Sequence, residues 1–327
     1  MKSRRTLLLC APWLGLLALP VIAQTPKLWR VGILASGSTA SSGHLYDAFA
    51  QGLLELGYVD GRNIVFERRF ANGDISRLPA LASELMKAKV DVIFAPNTVA
   101  VQSAKQVAGT LPIIFVSVDD PVGSGFVESL AHPGRNITGF ATIQNEISAK
   151  RLQILKEAFP KTSRVAVFVT PSDSISNVQL SEVRRGAKLL GLEVFPVEVQ
   201  SRKDVASALA ALRNSRAQAI YSLETSVNFA NRNLLIELAA KAKLPTIFPT
   251  ADYVRSGGLM TYSGVSGEAL FKHASYYVDK ILKGAKPADL PVEQTSVFAL
   301  TINMNTAKAQ GIKISEPLLL RADQLIQ

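Results

Sequence analysis

The chain has 327 residues, enough for two domains of ordinary size. Nearly half of it is apolar (48%), 19% is charged and no low-complexity tract occurs, which excludes a disordered chain and leaves side chains for a substantial core. The formal net charge is +10, yet the basic residues are dispersed and not interleaved with aromatics, which argues against a nucleic-acid partner.

The first 23 residues read as a secretory signal peptide. Lys2, Arg4 and Arg5 form a basic start. Leu7 to Leu19 is an apolar run interrupted by Pro12, and Val21-Ile22-Ala23 precedes an expected cut before Gln24. The apolar run is too short to span a membrane, so the mature chain is expected in the periplasm and not embedded in a bilayer. Ser3-Arg4-Arg5 also resembles the start of a twin-arginine signal, although the Leu-rich run favours the general secretory route. The single cysteine is Cys10; reading Leu7-Leu8-Leu9-Cys10 as a lipobox leaves no room for an apolar region before the cut, and if Cys10 leaves with this segment neither a disulfide nor a thiol-ligated metal is expected.

Arg30 to Ala35 (RVGILA) is the first buried strand, followed by the polar turn Ser36-Gly37-Ser38-Thr39. Apolar spacing predicts a helix from His44 to Leu56, stopped by Gly57. Asn63 to Phe70 is a strand, and Asp74 or Ser76 caps a helix running to about Lys87. Val90 to Phe94 is a strand, Thr98 to Val107 a helix, and Pro112 to Val118 a strand ending in Asp119 and Asp120. Ile137 to Ala141 closes this series as a short strand. A second series of the same kind follows a boundary expected near Ala141 to Asn145. It comprises a helix from Ile147 to Phe159, strand Arg164 to Thr170, helix Asn177 to Leu190, strand Leu192 to Val197 and helix Asp204 to Arg213. Strand Gln218 to Leu223, helix Phe229 to Ala242 and the short strand Thr246 to Pro249 complete it. Alternation of this kind implies parallel sheets with helices on both faces. The tail holds strand Leu259 to Tyr262, helix Gly267 to Leu282, a Pro-rich link, strand Val297 to Ile302 and a short helix near Asn305. It implies that the chain crosses between lobes more than once.

Several segments carry a family resemblance: GLLELGYVDGRNIVFERRFANGD, PVGSGFVESLAHPGRNITGF, GGLMTYS, YYVDKILKGAKPADLPVEQ, INMNTAKAQG and LLLRAD. Together they resemble the substrate-binding components of ABC transporters, in the family that includes tryptophan- and tyrosine-type binding proteins. The resemblance implies an α/β fold of the type I periplasmic binding protein kind: two doubly wound parallel-sheet lobes, a three-strand hinge and a ligand held between the lobes. It puts residues 30–140 and 263–285 in lobe 1, and 141–262 and 286–327 in lobe 2. It implies a monomer that hands a small solute, an amino acid or similar polar organic, to a membrane permease with its ATPase. Where many relatives carry Asp after the third strand of lobe 2, this chain has Glu224.

Open α/β sheets bind ligands beyond the carboxyl ends of their strands. In such a cleft an amino-acid carboxylate needs hydroxyls and N–H groups at a helix N-terminus, for which Thr98 and Ser117 are candidates. Its ammonium needs a carboxylate, for which Glu224 is the candidate and Asp119 a substitute. Asn97 could serve either group. Ser36, Ser38 and Thr170 follow the first strand of each lobe, and Tyr253 could stack on a planar ligand. Structural roles stay open beside these: Thr98 and Glu224 could serve only helix starts, and Asn97 only a turn.

Enzyme signatures are missing. Gly32 and Gly37 do not make G-x-G-x-x-G, no G-x-S-x-G or P-loop occurs, and His44, His132 and His273 lack metal-ligand spacing. No catalytic residue, metal or cofactor is expected. A periplasmic sensor presenting its solute to a receptor would share the fold, and a secreted α/β enzyme is a more distant alternative.

Overall fold

The computed structural model describes residues 27–327, without the side chains of 144–146 and 174; the expected leader lies outside the described residues. The first series comprises β1 (Trp29–Ala35), α1 (Thr39–Glu55), β2 (Ile64–Phe70), α2 (Leu78–Lys87), β3 (Val92–Phe94), α3 (Thr98–Ala108), β4 (Ile113–Val118) and β5 (Ile137–Ala141). The second runs α4 (Gln144–Ala158), β6 (Arg164–Val169), α5 (Ser174–Leu189), β7 (Glu193–Glu198), α6 (Val205–Asn214), β8 (Ala219–Ser222), α7 (Ser226–Ala230), α8 (Arg232–Ala242), β9 (Thr246–Phe248), α9 (Ala251–Arg255) and β10 (Met260–Ser263). The tail adds α10 (Gly267–Leu282), β11 (Glu293–Gln294), β12 (Ala299–Asn303), α11 (Met304–Gln310), α12 (Glu316–Leu319) and β13 (Gln324–Ile326).

These strands form two sheets, ordered β11-β5-β4-β3-β1-β2 and β13-β12-β10-β9-β8-β6-β7. Neighbours run parallel throughout, except that β12 runs antiparallel to β10. Each sheet is apolar on both faces, as parallel sheets covered by helices must be. In the first, Leu34, Ile93 and Ile113 pack under α2 and α3, while Val31, Phe94 and Ile114 pack on the opposite face with Phe49 of α1 and Phe271 of α10. The period-two alternation of the strands divides the side chains between the faces.

Several helices differ from their predicted bounds: α4 begins at Gln144 and α5 at Ser174, each three residues early, and capping explains where two others start. Helix α1 begins well before His44, because the Ser38 hydroxyl accepts from the Ser41 N–H (3.1 Å) while the Ser41 hydroxyl accepts from the Ser38 N–H (2.9 Å). Such a reciprocal box nucleates the polar stretch that apolar periodicity cannot register. The helix expected over Phe229 to Ala242 is two, broken at Asn231, and the first is capped by Thr225, whose hydroxyl accepts from Asn228 N–H at 3.0 Å.

The chain passes between the sheets three times: at 142–143, at 264–266 and at 295–298. The last two passages touch closely, since a Cβ on Gly264 would sit 2.7 Å from the Thr295 hydroxyl. One expected boundary is corrected. Residues 286–294, read with the second lobe, pack on the first sheet. β11 pairs with β5, the Val292 N–H donates to Leu130 O (2.7 Å), and the Leu290 carbonyl accepts from the Thr138 hydroxyl (2.6 Å). Proline-rich composition made this stretch resemble a linker, but Leu290 and Val292 each fill a core of the first sheet.

Helix α10 belongs to the first lobe through its packing on α1. At Gly52 the two helices approach so closely that a Cβ would lie 2.9 Å from the Lys272 carbonyl and 2.5 Å from the Ser275 hydroxyl. Gly52→Ala should therefore destabilise the protein by about 1–3 kcal/mol through overpacking. Urea unfolding checks this, with exposed Gln51→Ala as the near-neutral control; equal midpoints for the two variants would deny the close crossing.

Candidate ligand site between the lobes

A cavity of about 140 Å³ lies between the sheets, walled by both lobes and by all three crossing segments. The first lobe contributes the carboxyl edge of its sheet. Asn97, beyond β3, pairs with Ser117 near the end of β4 as an isolated bridge, and the Asn97 amide donates to the Ser36 hydroxyl at 2.8 Å. The Asn97 side-chain oxygen accepts from the Ala100 N–H (3.1 Å) and so caps α3. Thr98 is thus the first residue of the helix, where backbone N–H groups have no intrahelical partner and the helix dipole favours an anion.

The second lobe faces this with acids. Gln179 clamps the backbone of Glu224: its amide donates to Glu224 O (2.8 Å) and its oxygen accepts from Glu224 N–H (2.9 Å). Asp173 caps α5 and accepts N–H bonds from Ile175 and Ser226, both at 3.2 Å. Asp252 pairs with Arg255 at 2.7 Å, and His44 of the first lobe lies 3.7 Å from the same oxygen. Asp119 and Thr250 complete the polar side. Among the described residues no Lys, Arg or His lines the cavity. No group of three or more potential metal ligands occurs among them either.

Glu224 stands out electrostatically. Its Oε2 is shut off from solvent and has no hydrogen-bond partner within the chain. Burial pushes its carboxyl up to about 8; the charge of Arg151 pulls against this, while Asp252, Asp119 and Asp173 reinforce it. Arg151 is itself buried and donates to the carbonyls of Tyr262 (2.8 Å) and Pro249 (2.7 Å). Burial also raises Asp173, against the two N–H bonds it accepts.

The remaining wall is apolar. Tyr46 and Phe271 meet edge to face at 5.2 Å, Phe229 approaches from the second lobe, and Phe298 stands on a crossing segment stacked on Tyr262 at 5.7 Å. The cavity is about the size of the roughly 150 Å³ engineered cavity in another protein that takes up benzene, so it has room for a ring-sized body. The lobes are shut over it. The Arg232 guanidinium, 4.9 Å from the centre of the Phe229 ring, donates across the cleft to the Ser41 carbonyl at 2.6 Å.

Of the residues singled out in the sequence, Ser36, Asn97, Thr98, Ser117, Asp119 and Glu224 are brought together on the cavity wall. Ser38, Thr170 and Tyr253 are not. Ser38 is spent on capping α1. Thr170 is fully buried and its hydroxyl donates to Asn228 at 2.9 Å. Tyr253 turns into the core, stacked on Phe248 at 5.0 Å. Successive helix residues point about 100° apart at 3.6 residues per turn, and it is the neighbour Asp252 that faces the cleft. Asp252 was recoverable from the strand-end rule that singled out Asp119. Asp173, Gln179 and the aromatic wall had no local signature.

A cleft of this kind, with two α/β lobes, three crossings and a polar and apolar cavity at the facing sheet edges, defines a type I periplasmic binding fold. The family model for ABC transporter substrate binding proteins matches residues 30–326, and the chain belongs to that family. Among similar proteins is a tyrosine-binding protein of Clostridioides difficile, 28% identical over 261 residues that cover 80% of this chain and 74% of that one. A Streptococcus pneumoniae domain solved in complex with L-Trp superposes with a TM-score of 0.81 at 26% identity, covering 92% of this chain and all of that one. A conserved domain protein from Vibrio cholerae gives 0.83 at 25% identity, covering 91% of this chain and all of that one. No helix among the described residues is long and apolar enough to cross a membrane.

The raised Glu224 carboxyl has a consequence for stability. An acid whose folded-state pKa lies above its unfolded value stabilises most at pH below the unfolded value, near 4.5, and loses that contribution as pH rises through about 8. Glu224→Gln, which cannot ionise, should therefore gain on the ligand-free wild type as pH rises from 5 to 9. Thermal unfolding across that range checks it; a difference independent of pH would place the carboxyl in an ordinary environment.

Proposed function

We propose that this protein is the extracytoplasmic solute-binding component of an ABC importer, and that it closes its lobes over an amino acid, an aromatic one first. On this reading the mature chain works as a periplasmic monomer and delivers its solute to a membrane permease driven by a separate ATPase. The observation that carries the reading is the cavity's two-sided chemistry. A buried carboxyl with one oxygen lacking a hydrogen-bond partner and a helix N-terminus line one part, and aromatic rings line the rest. A tyrosine-binding relative and a tryptophan-bound structural neighbour support the choice of solute.

The roles follow from charge. Glu224 receives the ammonium, with Asp119 close enough in the wall to share it. Thr98, Ser117 and the first N–H groups of α3 receive the carboxylate, and Asn97 and Ser36 hold that edge in shape. The side chain lies among Tyr46, Phe271, Phe229 and Phe298. Contacts made only when the lobes are shut, such as Arg232 to Ser41, let a solute bridging both lobes shift the balance toward the closed form.

A thermal-shift screen of the mature protein against the common amino acids tests the solute class. A true ligand at about 100 times its dissociation constant should add roughly 2.7 kcal/mol, a shift of several degrees. Glu224→Gln should weaken binding of that ligand by roughly 2–5 kcal/mol, as for one partner removed from a buried charge pair. Calorimetry at wild-type affinity would take Glu224 out of the site. Small-angle scattering should show a smaller radius on saturation, and an unchanged radius would count against closure.

A further inference from the structure

The carboxylates of the cavity are not in equivalent states. Asp173 is answered by two N–H donors and Asp252 by Arg255, with His44 nearby. Glu224 is held firmly by Gln179 through its backbone, yet its carboxyl oxygen Oε2 meets neither a donor nor solvent. The charged groups acting on it come from every side. Arg151 of α4 attracts. Asp119 beyond β4, Asp173 at the start of α5 and Asp252 of α9 repel. Behind it, Tyr253 of α9 is buried, and its own hydroxyl is pushed up by burial and by Glu224. Arg232 of α8 is turned toward Ser41, and Arg255 toward Asp252. An unpaired negative charge in such a place is costly, and the cheaper state of the carboxyl is the neutral one.

We propose that Glu224 holds a proton in the empty site and releases it to solvent when an ammonium-bearing solute binds. The proposal rests on the amino-acid reading above and adds a coupled proton to it. The balance is simple. The O–H bond of the carboxyl breaks, its electron pair stays on the oxygen, and the proton passes to water. The ammonium keeps its three protons and pairs with the carboxylate so formed. The zwitterion is itself neutral, so the cavity ends one unit more negative than it began; the ammonium answers Glu224, and the added charge is the solute's carboxylate, received at the N-terminus of α3. Burial raises the Glu224 carboxyl in the empty protein, and the arriving cation lowers it again. Two results follow. Binding of an amino acid weakens as the medium acidifies. A solute with the same ring and carboxylate but no ammonium leaves the proton in place and shows no such dependence.

Calorimetry of the mature protein tests this, using the tightest binder among the common amino acids, L-tryptophan first. At pH 6 in buffers of different ionisation enthalpy, close to one proton should be released per solute bound. The dissociation constant should fall by nearly tenfold per pH unit from 5 to 7 and level off above about 8. Indole-3-propionate, the tryptophan analogue without its ammonium, should release none, and Glu224→Gln should abolish the release. If that variant binds too weakly to measure, carbon-13 NMR of glutamate-labelled, ligand-free protein gives the same information. One carboxyl should titrate near 8 and be absent from the variant. Amino-acid binding without proton release, or glutamates that all titrate in the ordinary range, would overturn the exchange and leave the solute reading standing. Failure of every ammonium solute to bind between pH 5 and 9 would overturn both.

Discussion

The structure depends on the way two parallel sheets are made to present their carboxyl edges to each other. Parallel strands carry their polar ends to one edge, so a single sheet of this kind offers half a site. Here the chain crosses three times between the sheets, at 142–143, 264–266 and 295–298, and the crossings hold the two edges face to face. Everything in the cavity follows from that opposition. The N-terminus of α3, capped by Asn97, comes from one edge, and Glu224 and Asp173 come from the other. The crossing segments are not passive, because Thr142, Ile143, Thr295 and Phe298 are themselves part of the wall. A solute in the cavity would therefore touch the crossing segments themselves.

The electrostatics of the cavity make sense only with something bound. Four carboxylates and no basic side chain line it among the described residues; Arg151 behind them donates to the Tyr262 and Pro249 carbonyls, and Arg255 pairs with Asp252. Such an arrangement disfavours a purely anionic solute. It suits a zwitterion, because a helix N-terminus can hold a negative end while the acids can hold a positive one. Glu224 carries its carboxyl one methylene further from the backbone than an Asp would. The Gln179 clamp fixes the backbone beneath it, so the added length extends the carboxyl and does not slacken the loop.

The cavity wall and the contacts between the lobes share residues. Phe229 lines the cavity, and the guanidinium lying over it is the one that crosses to the Ser41 carbonyl. Asp252 lines the cavity and is also the residue that His44 approaches from the other lobe. Filling the cavity and joining its rims are therefore linked through the same side chains, which is what a two-state closure requires if the solute is to have a preference between the states.

Much of this was legible in the amino-acid order. Buried runs such as RVGILA and RVAVFV, each followed by a polar turn and an amphipathic stretch, determine two series of parallel strands. The strand-end rule picks out Ser36, Asn97, Ser117, Asp119 and Glu224, because backbone direction alone takes these residues to the sheet edge. Tertiary structure decided what local pattern does not encode. Which of two neighbours on α9 faces the cleft depends on how that helix is rotated against β9, and it sends Tyr253 into the core and Asp252 to the wall. Whether residues 286–294 join one lobe or the other depends on where Leu290 and Val292 find room. The aromatic wall gathers Tyr46, Phe229, Phe271 and Phe298 from four distant places in the chain. Their meeting is a property of packing between elements, and no spacing along the sequence could announce it.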